Sequence, residues 1–215
     1  MRLLPVALAA ALLAGCQSKV TIDTPSISSS EFASSAKVPG RYAVMIQSGA
    51  WKKEVTTEGL TCGAWSFPTD FESAYASAVH DAFEMSFESV SFVPVALKPD
   101  EVRQQKFDGQ IVVYEGGIKT VYGIREHLFS ADAVSEVKMD GIVAVIGPEG
   151  LAGQASPQGA GVATVGIFTC SDGSKAVSEA GAKAVRDFVL HAVDAAKANV
   201  IQMRSKAQAQ ATPAS

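Results

Sequence analysis

The chain has 215 residues, of which 47% are hydrophobic and 19% are charged, and its formal net charge is −4. This length is enough for one substantial domain or two small ones, with a core that can stand alone. Because acidic side chains (22) outnumber basic ones (18), the composition argues against a nucleic acid as the main partner.

The first fifteen residues combine one positive charge, Arg2, with an uninterrupted apolar run over residues 3–15. This pattern is typical of a secretory signal peptide. A helix of this run would be about 20 Å long at about 1.5 Å per residue, which is short of the ~30 Å hydrocarbon core of a bilayer. We therefore expect residues 1–15 to be a signal peptide that is removed, and not a membrane span.

The signal peptide ends in Leu13-Ala14-Gly15-Cys16, which resembles the lipobox of bacterial lipoproteins. In that family the cysteine sulfur receives a diacylglyceryl group, the preceding peptide is cut away, and the new amine is acylated, for example with palmitate. The resemblance therefore implies lipidation at Cys16 and anchoring to membrane lipid. Gln17 stands where an aspartate would favour the inner membrane, so the resemblance implies the outer membrane, with the body in the periplasm. An ordinary signal peptide followed by an incidental cysteine is the alternative.

Residues 16–37 are rich in serine and threonine and show no sustained hydrophobic period. We interpret this segment as a flexible, lipidated tether, and a coil of about 20 residues would hold the body roughly 25 Å from its anchor. A single folded domain is expected over residues 38–204. Residues 205–215 have the low complexity of a disordered tail.

Apolar segments alternate with turn residues through the predicted domain. Strands are expected within RYAVMIQ, EVTTEGLTCGAWSF, SVSFVPVAL, GQIVVYEGGIKTVYGI, ADAVSEVKMDGIVAVIG and ATVGIFTC. Thr69 and Glu72 fit a capping box ahead of a first helix, whose apolar face includes Tyr75, Val79 and Phe83. The stretch GLAGQASPQGAGVATVG has the glycine, serine and proline content of a mobile loop.

The longest predicted helix covers residues 175–204 and carries a continuous stripe of alanine and valine. Its opposite face is charged, with Lys183, Arg186, Asp194 and Lys197 among others, and we interpret it as a solvated face. The order of strands, helix, several strands and helix predicts an α+β two-layer sandwich. We expect a mostly antiparallel or mixed sheet with two main helices on one face.

Three cysteines are present in the chain. If Cys16 carries lipid, Cys62 and Cys170 remain as an even pair, which we expect to form a disulfide in an oxidising periplasm. Two separate buried thiols are one alternative. A metal or catalytic site is another, although no CxxC and no nearby histidine motif supports it.

No motif nominates a catalytic, cofactor-binding or metal-binding residue. His80, His127 and His191 lie far apart and lack the HxxxH or HExxH spacing of metal ligands, and DGSK at residues 172–175 lacks the rest of a phosphate-binding loop. No GxSxG or GxGxxG pattern occurs. We therefore expect no resident metal or cofactor.

Four aromatic residues, Trp51, Trp65, Phe67 and Phe71, lie near Cys62 and the start of the first predicted helix. We interpret them as core aromatics that pack against this helix. The alternative is an exposed aromatic contact for a partner or a glycan.

The order of elements over residues 42–200 resembles a class of small outer-membrane lipoproteins. This class includes the auxiliary lipoproteins of envelope ABC transporters, activators of penicillin-binding proteins, and lipoproteins with a fold like the N-terminal domain of TolB. Its members are generally non-catalytic adaptors, so the resemblance implies a binding or assembly module of a cell-envelope complex that is not an enzyme and has an unidentified protein partner.

Two alternatives remain open, namely an envelope hydrolase whose site is built from dispersed carboxylates and a structural lipoprotein that oligomerises through its strand edges. A deep cleft with converging Asp or Glu side chains would favour the enzyme. A flat, exposed, apolar patch would favour the adaptor.

Overall fold

A computed structural model describes residues 16–34, 36–47, 51–57, 62–63 and 65–211, with the backbone alone at residues 16, 115, 210 and 211. The predicted signal peptide lies outside the described residues. The strands are β1 (Cys16–Gln17), β2 (Val20–Thr21), β3 (Val38–Gln47), β4 (Lys52–Thr56), β5 (Trp65–Asp70), β6 (Phe87–Phe92), β7 (Gly109–Glu126), β8 (Ala131–Gly147), β9 (Gly150–Ala155) and β10 (Gln158–Ile167). The helices are α1 (Glu72–Ser86), α2 (Pro99–Gln104) and α3 (Gly173–Ala211), with short 3-10 helices at Ser29–Glu31 and Cys170–Asp172.

Six strands form the main sheet, in the order β6-β3-β7-β8, with β9 and β10 both on the outer side of β8. Strand β3 is parallel to β6 and to β7, whereas β7, β8, β9 and β10 pair antiparallel. Strand β8 alternates buried residues with half-buried or exposed ones over much of its length, as expected where one face of a sheet is covered. Strand β7 is instead buried continuously over residues 109–113. The predicted α+β fold with a mixed sheet is confirmed.

Helix α3 covers this sheet closely because the facing surfaces are made of small residues. Gly159 and Gly161 of β10 lie so near the helix backbone that a Cβ atom at either position would overlap main-chain atoms of α3. The helix buries a row of alanines along the same contact, Ala176, Ala180, Ala184, Ala192 and Ala196. Helix α1 packs beside α3, so both main helices share one face, as predicted.

The other face of the main sheet has a smaller cover. Tyr42 and Val44 of β3 belong to the main core, whereas Ala43 between them packs with Val102 of α2 and with Phe107. Successive side chains of a strand point to opposite faces, so α2 lies on the side away from α1 and α3.

A second, smaller sheet was not expected from the sequence. Strand β5 is its centre, β4 pairs antiparallel on one side, and β1 and β2 run parallel along the other side. This sheet joins the main core, because Phe67 meets Tyr122 edge-on with ring centroids 4.9 Å apart. Trp51, just before β4, stacks on Tyr75 of α1 at 4.3 Å.

The predicted flexible tether is wrong for the described part of residues 16–37. Val20, Ile22 and Phe32 are buried in the main core, and the Ser178 hydroxyl of α3 donates a hydrogen bond to the Thr21 carbonyl oxygen at 2.7 Å. These apolar side chains are too widely spaced to form a sequence period. Each of them nevertheless packs into the main hydrophobic core.

The charged face of α3 holds the same segment and is therefore not simply solvated. Arg186 pairs with Glu31, and the Asp194 carboxylate accepts the Ala33 N–H at 3.2 Å. The Lys197 ammonium, which is buried, donates to the Ser34 carbonyl oxygen. A face that looks polar in sequence thus fixes the N-terminal segment by hydrogen bonds and ion pairs.

Three further sequence expectations need correction. The capping box at Thr69 does not form, because Thr69 is buried in β5 and Asp70 instead accepts the Glu72 N–H at 3.0 Å. The predicted mobile loop forms β9 and β10, and helix α3 continues to Ala211 through most of the predicted tail. Within the described chain, no helix has the length and apolarity needed to span a bilayer.

Candidate functional site at the disulfide end

Cys62 and Cys170 form a disulfide that spans 108 residues of sequence, with their Cα atoms 5.6 Å apart. The bond connects the turn before β5 to the 3-10 helix that follows β10. On the β5 side, the Trp65 N–H donates to the Cys62 carbonyl oxygen at 2.9 Å. The predicted pairing is confirmed, and we call this part of the molecule the disulfide end.

The predicted lipid-attachment residue leaves the fold at the same end. The backbone of Cys16 is in register with Trp65, and Gln17 with Ser66. The Ser18 N–H continues the pairing by donating to the Ser66 carbonyl oxygen at 3.1 Å. Residue 16 is therefore a strand residue held against β5, and no flexible linker separates it from the folded body.

The β7–β8 turn also lies at the disulfide end. Ala131, the first residue of β8, pairs with Glu126 of β7 on one side and with Ile167 of β10 on the other. Neighbouring strands are about 4.8 Å apart, so the β7–β8 turn and the residues after β10 are next to each other. Both segments continue past the edge of the sheet.

Two contacts close the β7–β8 turn and turn its middle residues outward. The His127 N–H donates to the Ser130 carbonyl oxygen at 2.8 Å, and the His127 Nε2 lies 2.9 Å from the Asp132 Oδ2. Between these two contacts, Leu128 is 88% exposed and Phe129 is 95% exposed.

Phe168, directly after β10, is fully exposed. Its backbone is held by Asp172, whose Oδ2 accepts the N–H groups of Phe168 at 3.0 Å and of Thr169 at 2.8 Å. These backbone hydrogen bonds hold the pKa of Asp172 below its usual value. Leu128, Phe129 and Phe168 therefore form an ordered, solvent-exposed group, which we call the apolar tip.

A buried tyrosine lies behind the apolar tip. Tyr122 has no exposed surface, and burial raises the pKa of its hydroxyl to about 12, with a smaller contribution from the charge of Asp172. Gly173 leaves room for this hydroxyl, since a Cβ at that position would overlap it. Gly173, which follows the segment that carries Phe168, therefore packs directly against the Tyr122 hydroxyl.

The aromatic residues singled out in the sequence are mostly in the core. Trp51, Phe67 and Phe71 are buried, and Trp65 is half-buried, which confirms the core interpretation for the first three. In the described chain the exposed phenylalanines are Phe129 and Phe168, which sequence reasoning missed. The sequence feature that could have indicated the exposure of Phe129 is its position next to Leu128, at a turn between two predicted strands.

Each histidine has a carboxylate nearby, and for His80 and His191 a carboxylate lies four residues away on the same helix. His80 stacks on Phe92 with ring centroids 4.0 Å apart and lies 3.7 Å from both Asp81 and Glu84. His127 pairs with Asp132 as described above. Among the described residues, no three His, Cys, Asp or Glu side chains are grouped so that they could share a metal ion.

A groove of about 570 Å³ brings together Asp140, Asp187 and His191. Each of these side chains is hydrogen-bonded to the backbone of a strand. Asp140 accepts the Gly117 N–H, and Asp187 accepts the Ala160 N–H at 2.9 Å. The His191 Nδ1 donates to the Gln158 carbonyl oxygen at 2.7 Å. These two carboxylates hold a β-bulge and a strand edge, which is a structural use.

The two edges of the main sheet differ in cover. On β10, side chains of α3 bond to the outward backbone groups at alternate residues: His191 to Gln158, Asp187 to Ala160 and, at 3.0 Å, Lys183 to Val162. Such cover blocks the pairing of an additional strand.

On the other edge, no described strand pairs with β6 on the side away from β3. Glu88 and Ser89 of β6 are exposed, and Val90 and Phe92 are half-buried. An edge strand that has no strand partner among the described residues, and that carries partly exposed apolar side chains, is a site at which an extended peptide can add to the sheet.

No protein-family model matches the chain, and no curated protein matches it in sequence. Solved structures with a similar arrangement include a neuraminyllactose-binding hemagglutinin homologue from Helicobacter pylori, at 11% identity and a TM-score of 0.46, covering 89% of this chain and all (100%) of that one. A Xanthomonas campestris protein of family DUF330 has 11% identity and a TM-score of 0.41, covering 89% and 98%. The protein CT253 from Chlamydia trachomatis has 9% identity and a TM-score of 0.35, covering 74% and 98%. At these identities and TM-scores, the likenesses assign neither a family nor a function to the chain.

Proposed function

We propose that this protein is a lipid-anchored, non-catalytic binding module of the bacterial cell envelope. In this proposal Cys16 is acylated and becomes the first residue, the outer membrane holds the acyl chains, and the body lies in the periplasm. The body then binds an envelope protein through the open edge of its main sheet.

The observation that carries the proposal is the position of Cys16 in the fold. The residue at which the LAGC sequence implies cleavage is paired with Trp65 of β5, beside the disulfide. The disulfide itself fits an oxidising compartment outside the cytoplasm.

The binding role is supported by the contrast between the two sheet edges. The α3 side chains cover residues 158–162 of β10, whereas β6 has an edge at which main-chain hydrogen bonds can be offered to a partner. Affinity in this binding mode comes from backbone pairing, and specificity comes from side chains such as Val90 and Phe92.

Anchoring is tested by mass spectrometry and fractionation of the protein from bacterial envelopes. We expect a mature N-terminus at Cys16 with a mass increment of diacylglycerol and acyl chains. In C16S we expect loss of processing and much weaker membrane association. An unmodified N-terminus elsewhere, or unchanged membrane association of C16S, would contradict the anchoring proposal.

Partner binding is tested with a photo-crosslinking amino acid placed at Ser89 on the open edge. Thr164 of β10, also exposed, is the matched position on the opposite edge of the sheet. We expect a discrete crosslinked product in intact cells from position 89 and not from position 164, with the partner identified by mass spectrometry. A product that contains only a second copy of this chain would support the oligomerising alternative, and no product from position 89 would refute the edge as the binding site.

A further inference from the structure

The most exposed apolar side chains of the molecule are gathered at one end. In the described chain, eight large hydrophobic residues are exposed, and the three with the largest exposed fractions are Leu128, Phe129 and Phe168. The other five are spread over the rest of the surface: Val95, Ile142, Leu151, Val162 and Ile201. A cluster of exposed apolar side chains marks a site of contact with a protein partner or a membrane.

The backbone connects this group to the residue expected to carry lipid. Cys16 pairs with Trp65, Trp65 is hydrogen-bonded to Cys62, and Cys62 is joined covalently to Cys170. Phe168 lies two residues before Cys170. The β7–β8 turn is next to Phe168, because Ala131 at the start of β8 pairs with Ile167. Acyl chains on Cys16 would thus enter a bilayer at the end of the molecule that carries the apolar tip.

Hydrogen bonds and one disulfide link Cys16 to the tip. The Cys16 strand is paired with β5, the β7–β8 turn is closed by His127, and the Phe168 segment is fixed by Asp172 and the disulfide. Because residue 16 is itself paired with β5, lipid attached there would hold the disulfide end at the membrane surface.

We propose that the apolar tip inserts into the interfacial region of the bilayer as a second membrane contact beside the acyl anchor. The occupant of this surface is phospholipid, and Leu128, Phe129 and Phe168 are the inserting side chains. Apolar side chains of interfacial elements enter about 5–10 Å into the headgroup and acyl boundary. Two contacts, one covalent and one by insertion, set the orientation of the body and leave the β6 edge accessible from the periplasm. This inference rests on the proposed anchoring, but its test is separable from it.

The test uses an environment-sensitive fluorophore on a single added cysteine in the full-length protein. S130C places the label beside the tip, and E149C places a matched label at the β8–β9 turn. The two positions lie at opposite ends of β8, which has 17 residues and is therefore roughly 50 Å long. Vesicles of phosphatidylethanolamine and phosphatidylglycerol carry a nitroxide quencher on their acyl chains.

We expect the label at position 130 to shift to shorter wavelength and to be quenched on vesicles, while the label at position 149 remains in water. The triple variant L128S/F129S/F168S should remove the shift at position 130, whereas L151S/V162S/I201S, which removes exposed apolar side chains elsewhere, should not. Without the acyl anchor, in a C16S background, the tip variant should bind vesicles on the order of 100-fold more weakly than the parent. A circular dichroism spectrum like that of the parent verifies that each variant is folded.

Quenching at both positions, or at neither, would overturn the inference. Shielding of the label at position 130 in the absence of vesicles would also overturn it, because a second copy of the chain would then cover the tip. If the protein floats with vesicles and position 130 stays in water, anchoring stands and insertion fails. If the chain carries no lipid, the same labelled protein mixed with vesicles still reports whether the tip enters the bilayer.

Discussion

The contact between α3 and the main sheet and the apolar tip are both built from apolar residues, yet only the first is covered by the protein. At the helix contact, glycine and alanine allow two backbones to approach, and the side chains have no exposed surface. At the tip, hydrogen bonds of His127 and Asp172 fix the backbone around Leu128, Phe129 and Phe168, and these three residues are exposed to solvent. One apolar surface therefore stabilises the fold, while the other is held in place by the fold and is available to a partner outside the protein.

Removal of the disulfide, which lies at the same end as the apolar tip, should have the largest effect on the free energy of unfolding. Closing a loop of about 100 residues contributes up to ~4.7 kcal/mol in the chain-entropy model. We expect C62S/C170S to lose about 2–5 kcal/mol of unfolding free energy in chemical denaturation. Amide exchange should rise first near residues 168–173 and remain slow in the middle of α3. Equal loosening of both regions would show that the disulfide end is not a separate unit.

The next effect is on the helix side. In G161A the new Cβ would overlap main-chain atoms of α3, and overpacking of this kind costs about 1–3 kcal/mol or more. G166A on the same strand is the matched control, since the nearest atom to its Cβ would be 3.8 Å away. Denaturant midpoints should fall for G161A and hardly change for G166A. Similar midpoints for the two variants would contradict the close contact.

A smaller effect is expected at alkaline pH. The pKa of the buried Tyr122 is raised from 10.0 to about 12, so between these values the unfolded chain loses a proton that the native protein keeps. Stability contributed by this group is present in full below pH 10 and is lost as the pH rises toward 12. In Y122F the decline of the unfolding free energy over this range should be shallower, and an unchanged slope would place the titration elsewhere.

The smallest effect is expected from the tip itself. Because the L128S and F129S side chains replace ones that are exposed in the native protein, each variant should change the unfolding free energy by less than about 0.5 kcal/mol. Thermal unfolding of the protein in buffer is the measurement. A loss of several kcal/mol would mean that these side chains pack against the body and are not free to meet a membrane.

The sequence predicted the fold class well because most of the core follows regular periods. The apolar faces of α1 and α3 and the long strands β7 and β8 were visible as repeats of apolar residues, and the cysteine pair followed from the count. The three buried residues of the N-terminal segment, Val20, Ile22 and Phe32, follow no period, because polar residues separate them. Two of these polar residues, Thr21 and Glu31, bond to α3. Local composition carries no information about such long-range contacts.

The β9–β10 region was misread for a related reason. Its glycines suggested a loop, but Gly159 and Gly161 are needed for close approach of α3, which only the tertiary structure reveals. The candidate site was harder still, because residues 16, 62, 128–129 and 168 are brought together by strand register and one disulfide. No motif connects them in the sequence.

The central claim, that the disulfide end faces the bilayer, is tested most directly by amide hydrogen exchange of the lipidated protein on vesicles. We expect slower exchange at residues 127–131 and 168–170 than in the C16S protein free in buffer, with residues 148–151 exchanging alike in both. Unchanged exchange at the tip, or slower exchange at residues 148–151 instead, would contradict the claim.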